Sequence, residues 1–250
     1  MTRLLVTRPA GQAYELIARL EAIGIHAVSV PTVAIEEAPV SELARALENL
    51  NDADWLVVTS VNGADALRRG FAARDARLPA TLRVAAVGPE TAAALTRGGI
   101  RVDHVPAQFL ASAIGMGLGE IAGRIVVLAR SNAATPDLVA DLRGRGARVK
   151  EIVAYHTVEG PADSRDLLGT AFAQRLDGIT FASGSSVRGL LVLASDADAA
   201  IARALPAFCI GPVTAAVARK AGFAVPVVAA DRTAAALAAA IHHYLALEVA

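Results

Sequence analysis

Short polar turns follow the apolar runs of this sequence, and their residue types suit the binding of an anion. Each turn carries hydroxyl, amide or guanidinium side chains, often beside glycine, and leads into an amphipathic stretch. A helix that begins there offers free backbone N–H groups and the positive end of its dipole. The candidate binding residues are Arg8, Thr59, Ser60, Asn62, Gly88, Thr91, Arg130, Ser183, Ser185, Gly211 and Thr214. The alternative is that these side chains only cap their helices, although capping explains less well why every strand end carries such a turn.

Tyr155 is the candidate proton donor. It is one of three tyrosines and lies in the stretch KEIVAYHTVEGP (150–161), between Val153 and Thr157 on one face of a predicted strand. A phenol in a strand that borders a cleft between domains can donate a hydrogen bond or a proton. The alternative is an aromatic residue that is partly buried at a domain junction.

Composition and motifs exclude several other classes of function. Charged residues balance at 24 against 24, so no overall field attracts nucleic acid or an acidic membrane. Cys209 is the only cysteine, which excludes an internal disulfide and a cysteine-rich metal site. The stretches 115–123 and 184–189 lack the glycine spacing of a dinucleotide site and of a nucleophile elbow. Because neither a signal peptide nor a run of about 20 apolar residues occurs, we expect a cytoplasmic protein with no membrane span.

The chain repeats itself at an offset of 123 positions. AAVGPETAAALTRGGIRV (85–102) matches FCIGPVTAAVARKAGFAV (208–225) at 7 of 18 positions, and DWLVVTSVNGADAL (54–67) aligns with DGITFASGSSVRGL (177–190). Short apolar runs alternate with amphipathic stretches, which predicts a duplicated α/β fold on parallel sheets. We expect glycine caps at the helix ends, at Gly24, Gly70, Gly98 and Gly144.

Two proline-bounded stretches, 30–39 and 150–161, have the pattern of extended strands that cross between domains. If both cross, domain 1 is discontinuous and comprises residues 1–34 and 158–250, and domain 2 comprises residues 38–152. The competing division is a single cut near Gly119, which would separate the two repeats. The residues by themselves leave both divisions open.

Segments in order along nearly the whole chain resemble those of the uroporphyrinogen-III synthase family. The resemblance is carried by VTRP (6–9), DWLVVTSVNG (54–63), VGPETAAAL (87–95), the stretch 127–158, DGITFASGSSV (177–187) and CIGPVTAAVARKAGF (209–223). The chain departs from the Thr-Ser-Pro that the family often has after both middle strands. Val61 and Gly184 replace the prolines, and Ala182 replaces the second threonine.

The resemblance implies two flavodoxin-like, parallel-sheet α/β domains joined by a two-stranded β-ladder, with the first domain discontinuous. It implies a lyase that dehydrates hydroxymethylbilane and closes it, with inversion of ring D, to uroporphyrinogen III, which feeds haem, sirohaem and cobalamin synthesis. The route proposed for the family passes through a spiro-pyrrolenine. No metal or organic cofactor is implied. The expected enzyme is a monomer that takes over its substrate from hydroxymethylbilane synthase.

The resemblance also suggests roles for the candidate residues. Tyr155 matches the family's tyrosine in this strand and would give a proton to the leaving hydroxyl. The polar turns would bind the acetate and propionate groups of the substrate, and Arg8 would meet one carboxylate or else form a structural salt bridge. Two rival hypotheses are a non-catalytic, cleft-closing protein that binds an anionic ligand and a regulatory relative that retains the fold.

Overall fold

The structure, a computed structural model, describes residues 2–74, 78–107 and 111–248. Its strands are β1 (Arg3–Val6), β2 (His26–Ser29), β3 (Val33–Glu37), β4 (Trp55–Val58), β5 (Arg83–Ala86), β6 (Ile125–Ser131), β7 (Arg148–Glu159), β8 (Gly178–Phe181), β9 (Ala207–Cys209) and β10 (Val227–Val228). Its α-helices are α1 (Ala10–Glu21), α2 (Val40–Ala46), α3 (Val61–Ala72), α4 (Pro89–Arg97), α5 (Ala111–Gly117), α6 (Asp137–Gly144), α7 (Arg165–Phe172), α8 (Gly184–Leu193), α9 (Asp196–Ala204), α10 (Pro212–Lys220) and α11 (Ala234–Glu248). Short 3-10 helices cover Leu47–Leu50 and Ala162–Ser164.

The chain divides into two compact units. Unit 1 comprises Met1–Ile35 and Val158–Ala250, and unit 2 comprises Glu36–Thr157. The boundaries fall inside β3 and β7, so these two strands carry the chain from one unit to the other. Unit 1 is therefore discontinuous in sequence, whereas unit 2 is one continuous segment.

Unit 1 is built on a parallel sheet of order β2-β1-β8-β9-β10. In chain order this is the 2-1-3-4-5 arrangement of flavodoxin-like folds. Successive residues of β1 point to opposite faces. Leu4 and Val6 join the core beside α1 and α11, whereas Leu5 packs in the core that contains Phe181 and residues of α8 and α10. Both faces of β1, β8 and β9 are buried, which explains why these three strands are almost continuously apolar.

Unit 2 has a sheet of order β3-β7-β6-β4-β5, in which β7, β6, β4 and β5 are parallel. Trp55 and Val57 of β4 pack with Leu128 of β6 and Leu142 of α6 in one core. His104 extends the sheet beyond β5 through a parallel bridge to Ala85. The sheet order places the ends of β5, β4, β6 and β7 along one edge, where the predicted polar turns follow them.

The sequence repeat is also a structural repeat, but its halves are not the two units. Strands β4 and β5 match β8 and β9 at the predicted offset of 123, and the bridge from Ala85 to His104 matches the pairing of β9 with β10. The pair β6–β7 matches β1–β2 at an offset of 122, because Ile125 is equivalent to Arg3. Each unit therefore combines strands from both halves. The predicted fold class, two parallel-sheet α/β layers of flavodoxin type, is confirmed.

The predicted glycine caps are only partly right. Gly24 has φ +78° after α1, and the following N–H donates to the Leu20 carbonyl, which is a Schellman ending. Gly98 is the C-cap of α4, as predicted, and the left-handed Gly99 follows it directly, whereas the left-handed residue after α6 is Gly146 instead of Gly144. The prediction for Gly70 is wrong, since Gly70 lies inside α3 and a Cβ there would stand 2.9 Å from Cγ of Leu43 in α2. Close packing against α2, and not a helix end, explains this glycine.

Candidate functional site

The edge of unit 1 brings together the ends of β1, β8 and β9, which are neighbours in the sheet. Helices α8 and α10 begin after β8 and β9, so their free N–H groups lie at this edge. The Ser183 hydroxyl accepts a hydrogen bond from the Ser186 N–H at 3.1 Å, and the Ser186 hydroxyl accepts one from the Ser183 N–H at 3.2 Å. Ser183 therefore forms a capping box, as the alternative reading of the turns expected.

Arg8 follows β1 and is half-buried. Among the described residues, no hydrogen bond or ion pair reaches its guanidinium group, and its Nε is enclosed without a partner. Burial lowers the pKa of Arg8 from its ordinary value, and the charge of Glu15 opposes this with a smaller effect. A cation that has lost water without gaining an anion is suited to bind a carboxylate.

Ser185 is bonded to an arginine that sequence reasoning missed. Arg188 donates to Ser185 Oγ at 3.2 Å and also contacts both carboxylate oxygens of Glu159 at 2.6–3.0 Å. The i,i+3 spacing of Ser185 and Arg188 in α8 was a sequence signal for the first contact. Glu159 lies at the end of β7, and nothing in the sequence links it to α8. This pairing leaves Arg188 neutralised, in contrast to Arg8.

Buried threonines connect the strand ends below the edge of unit 1. The Thr7 hydroxyl donates to the Thr180 carbonyl at 2.7 Å, and the Thr32 hydroxyl donates to the carbonyls of Thr7 at 3.1 Å and Ser186 at 2.9 Å. The Thr180 hydroxyl donates to the Leu5 carbonyl at 3.2 Å. These bonds link β1, β8 and the start of α8, so they fix the edge on which Arg8 stands.

Thr91 and Thr214 occupy equivalent positions in the first turns of α4 and α10, after Gly88 and Gly211. Each is only 6% exposed, and within the described part of the chain neither hydroxyl has a hydrogen-bond partner. The Arg232 side chain lies over Gly211, with its Cγ 3.3 Å from where a Cβ would stand. Sequence reasoning missed Arg232. Both turns thus keep an unpaired hydroxyl beside the free N–H groups of a helix N-terminus, an arrangement that can bind an anion.

In unit 2, Tyr155 lies where β7 passes the end of β6. Arg130 pairs with Val153 but Ser131 pairs with Tyr155, so β7 carries one extra residue. Such a bulge breaks the alternation of side chains and re-aims the next one. Val153 is 44% exposed, whereas Tyr155 is 9% exposed, and the Ser60 hydroxyl donates a hydrogen bond to the Tyr155 hydroxyl at 3.1 Å. The predicted common face of Val153 and Tyr155 is wrong because of this bulge.

The candidate residues in the turn after β4 differ in whether their side chains are already hydrogen-bonded. Ser60 caps α3, since its Oγ also accepts a hydrogen bond from the Gly63 N–H at 3.1 Å. Thr59 and Asn62 are half-buried, and no side-chain hydrogen bond to either occurs within the described residues. The Ser60 hydroxyl is therefore engaged, whereas the polar groups of Thr59 and Asn62 stay open to a ligand.

Arg130 is the penultimate residue of β6 and is 6% exposed. One terminal nitrogen donates to the carbonyls of Ala134 and Thr135, both at 2.7 Å, and its Nε lies 3.3 Å from a Glu151 carboxylate oxygen. The loop after β6 thus folds around this guanidinium group. A cavity of about 330 Å³ lies beside it, with Arg143 among its lining residues.

Hydroxyl and amide groups also join the ends of β6 and β7. Ser131 Oγ lies 2.7 Å from Thr157 Oγ1, and Asn132 Oδ1 accepts a hydrogen bond from the Thr157 N–H at 2.8 Å. The Asn132 N–H donates to the Tyr155 carbonyl at 3.3 Å. These bonds hold the backbone of β7 on both sides of the bulge.

Across residues 2–74, 78–107 and 111–248, no group of three or more His, Cys, Asp or Glu side chains is arranged to hold a metal ion. In the same ranges, no helix is both long enough and apolar enough to cross a membrane.

Comparison with known families gives a match over most of the chain. The family model described as uroporphyrinogen-III synthase HemD matches residues 14–239. The porphyrin biosynthesis protein HemD of Ruminiclostridium josui is 30% identical over 88% of this chain, which spans 44% of that longer protein. The uroporphyrinogen-III synthase of Synechococcus elongatus is 29% identical over 76% of this chain and 74% of its own length.

Solved structures show the same fold. A mutant uroporphyrinogen III synthase from Thermus thermophilus superposes with a TM-score of 0.76 at 20% identity, covering 99% of this chain and 100% of that one. The uroporphyrinogen-III synthetase of Helicobacter pylori gives a TM-score of 0.61 at 15% identity, covering 100% of both chains. At these identities the likeness concerns the fold.

Proposed function

The chain belongs to the uroporphyrinogen-III synthase family of tetrapyrrole biosynthesis, as its sequence predicted, and from that premise we propose its reaction and its site. It removes water from hydroxymethylbilane and closes the linear tetrapyrrole to uroporphyrinogen III with inversion of ring D. Hydroxymethylbilane synthase supplies the substrate. The observation that carries this proposal is the phenol of Tyr155, held at a strand end by the bulge in β7 and by Ser60.

Binding of the substrate falls to cations and open N–H groups at the strand ends. Hydroxymethylbilane carries acetate and propionate groups, and a guanidinium group binds a carboxylate through two parallel hydrogen bonds. Arg8 is the candidate for such a contact, because its guanidinium group has no partner among the described residues. The N-termini of α4 and α10, with Thr91 and Thr214, offer further donors to carboxylates.

Three candidate residues receive a role other than direct substrate binding in this proposal. Arg130 holds its own loop, since one terminal nitrogen is committed to two carbonyls and Nε faces Glu151. The Ser183 hydroxyl caps α8. Thr59, Asn62, Gly88 and Gly211 remain proposed contacts of the substrate, and Ser185 contributes only through its partner Arg188.

The leaving hydroxyl needs a proton, because hydroxide is a poor leaving group. Tyr155 gives this proton, and the electron-rich pyrrole then expels water. A phenol is a modest acid, but the pyrrole nitrogen supplies electrons as the C–O bond breaks, so modest acid assistance is enough. The larger task is to fold the bilane so that ring D meets ring A through its substituted carbon.

A coupled assay tests the reaction. Hydroxymethylbilane is generated with its upstream synthase, this protein is added, and the oxidised porphyrin isomers are separated by chromatography. We expect mostly isomer III, against isomer I from spontaneous closure without the protein. Only isomer I, formed at the rate without protein, would contradict the proposed reaction and favour a ligand-binding or regulatory relative.

A further inference from the structure

Ser60 is the middle member of a chain of two hydrogen bonds, in which each group donates to the next. The Gly63 N–H, in the first turn of α3, donates to Ser60 Oγ at 3.1 Å, and the Ser60 hydroxyl donates to the Tyr155 hydroxyl at 3.1 Å. The donated hydrogens of Gly63 and Ser60 therefore both point away from the N-terminus of α3, which is the positive end of its dipole. With its oxygen accepting from Ser60, the Tyr155 hydroxyl keeps its own proton free for another acceptor.

The equivalent serine in unit 1 lacks this arrangement. Ser183 caps α8 as Ser60 caps α3, at an offset of 123 positions, but its partner is Ser186 within the same helix turn. Within the described residues, the hydrogen bond from a capping serine to a phenol occurs at Ser60 and not at Ser183. Capping alone therefore does not require a bond to a tyrosine.

The bulge in β7 makes the contact. It turns Tyr155 inward to 9% exposure, next to the turn after β4, although Val153 two residues earlier is 44% exposed. Asn132 and Thr157 hold the backbone on either side. Backbone geometry thus brings the phenol to Ser60, and Ser60 sets the direction of its hydrogen bond.

We propose that Ser60 is a positioning residue that keeps the O–H of Tyr155 directed at the substrate and stabilises the phenolate that forms when the proton leaves. This inference rests on the proposed function. It gives Ser60 a role different from direct substrate binding. The Ser60 hydroxyl already donates its proton to Tyr155, and its oxygen already accepts a hydrogen bond from the Gly63 N–H.

Each bond that breaks in the proposed proton transfer is matched by one that forms. The Tyr155 O–H bond breaks and a new O–H bond forms on the leaving hydroxyl, while the C–O bond breaks with both electrons on oxygen. Water leaves, and the lone pair of the pyrrole nitrogen supplies electrons to the carbon that has lost its bond to oxygen. Tyr155 remains as a phenolate that accepts the Ser60 hydrogen bond. It regains a proton when the closed ring loses one to restore the aromatic pyrrole.

A glycine substitution separates this role from capping. Glycine is nearly as good an N-cap as serine, so Ser60→Gly removes the hydroxyl at little cost to α3. Ser60→Thr keeps a hydroxyl and a cap. Ser195 caps α9, accepting from the Asp198 N–H at 3.2 Å, so Ser195→Gly is a matched control outside the site.

Steady-state kinetics in the coupled assay test the proposal. We expect Ser60→Gly to lower kcat about tenfold with little change in KM, because a hydrogen bond to a charged group is lost after binding. Ser60→Thr should restore most of kcat, and Ser195→Gly should match the wild type. In a Tyr155→Phe background, Ser60→Gly should add almost nothing. A wild-type kcat in Ser60→Gly, or full additivity with Tyr155→Phe, would overturn the proposal.

A second measurement does not depend on turnover. Tyrosine labelled with ¹³C at Cζ gives three signals, and the Tyr155→Phe variant identifies that of Tyr155. We expect Ser60→Gly to move this signal and Ser60→Thr to return it, while the Tyr14 and Tyr244 signals stay in place. An unmoved Tyr155 signal would overturn the hydrogen bond itself. If the wild type made no isomer III, the proposed function would fail, while this measurement would still decide the contact.

Discussion

The strand-end edges of the two units carry equivalent arginines in opposite surroundings. Arg8 in unit 1 and Arg130 in unit 2 are 122 positions apart, which is the offset that relates β1–β2 to β6–β7. Arg130 is tied to two loop carbonyls and faces Glu151, whereas Ser29 stands at the position equivalent to Glu151 in unit 1. Duplication thus supplied the same cation twice, and only Arg8 remained unpaired.

The hydroxyl groups differ between the units in the same way. Thr7 and Thr180 bind backbone carbonyls beneath the edge of unit 1, while Ala129 and Val57 occupy the equivalent positions in unit 2. Unit 2 instead has the bulge that turns Tyr155 toward Ser60. We propose that unit 1 presents the unpaired Arg8 to a substrate carboxylate and that unit 2 holds the proton donor Tyr155.

The largest expected effect comes from Tyr155→Phe. It removes one hydroxyl and keeps the ring in place, so we expect kcat to fall about 100-fold, as when a general acid is lost. The unfolding midpoint should stay close to that of the wild type. Tyr14→Phe in unit 1 is the control, since Tyr14 is 81% exposed. Full activity in Tyr155→Phe would remove the phenol from any acid role.

We expect Arg130→Met to lower the free energy of unfolding more than it lowers the catalytic activity. Loss of the guanidinium group leaves the carbonyls of Ala134 and Thr135 unpaired, which we expect to cost about 2 kcal/mol of unfolding free energy. Urea unfolding followed by circular dichroism measures this. Unchanged stability would contradict the structural role of Arg130.

Arg8→Met is the matched change in unit 1, and its expected pattern is reversed. The variant should lose about tenfold in kcat/KM, mainly through KM, because a charge-assisted hydrogen bond to a carboxylate disappears. Its stability should not fall, because burial of Arg8 lowers its pKa and therefore disfavours the charged form. A wild-type KM would show that Arg8 does not bind the substrate.

Cys209→Ala compares the sheets of the units directly, because Ala86 occupies the equivalent position in unit 2. We expect a loss of about 1 kcal/mol at neutral pH from the missing sulfur contacts. Burial raises the pKa of the Cys209 thiol from 9.0 to about 11, so its contribution to stability is full below pH 9 and declines as pH rises toward 11. Stability of the wild type should therefore fall more steeply than that of the variant across this range. Equal slopes in denaturation series would contradict the shift.

Thr91→Val and Thr214→Val should have the smallest effects. Backbone N–H groups share the work of binding at both helix N-termini, so each variant should raise KM only about two- to threefold. The two variants are matched by position and by burial. A tenfold effect in one of them alone would identify the unit that holds the more important carboxylate.

The sequence predicted those features that depend on local pattern. Continuous apolar runs indicated strands buried on both faces, and the Gly-Pro turns predicted where α4 and α10 begin. The family followed from the ordered segments. The bulge in β7 was not predictable, because it depends on the pairing of Ser131 with Tyr155 instead of Ala154.

The partners of the polar side chains could not be predicted either. Whether Arg8 or Arg130 is neutralised depends on the residue facing it in the next strand, Ser29 or Glu151, and on the path of the following loop. Gly70 gave the same sequence signal as a helix cap but serves packing against α2. These contacts depend on how separate elements pack together, and the hydrophobic periodicity of a local stretch of sequence gives no information about that packing.

The most direct test of this division of roles is a kinetic comparison of Tyr155→Phe and Arg8→Met with the wild type. Rates of isomer III formation are measured over a range of hydroxymethylbilane concentrations and corrected for spontaneous isomer I. We predict that Tyr155→Phe lowers kcat with KM nearly unchanged, and that Arg8→Met raises KM with kcat nearly unchanged. The reverse pattern, or equal effects of both variants on both constants, would contradict the assignment of proton transfer to Tyr155 and of carboxylate binding to Arg8.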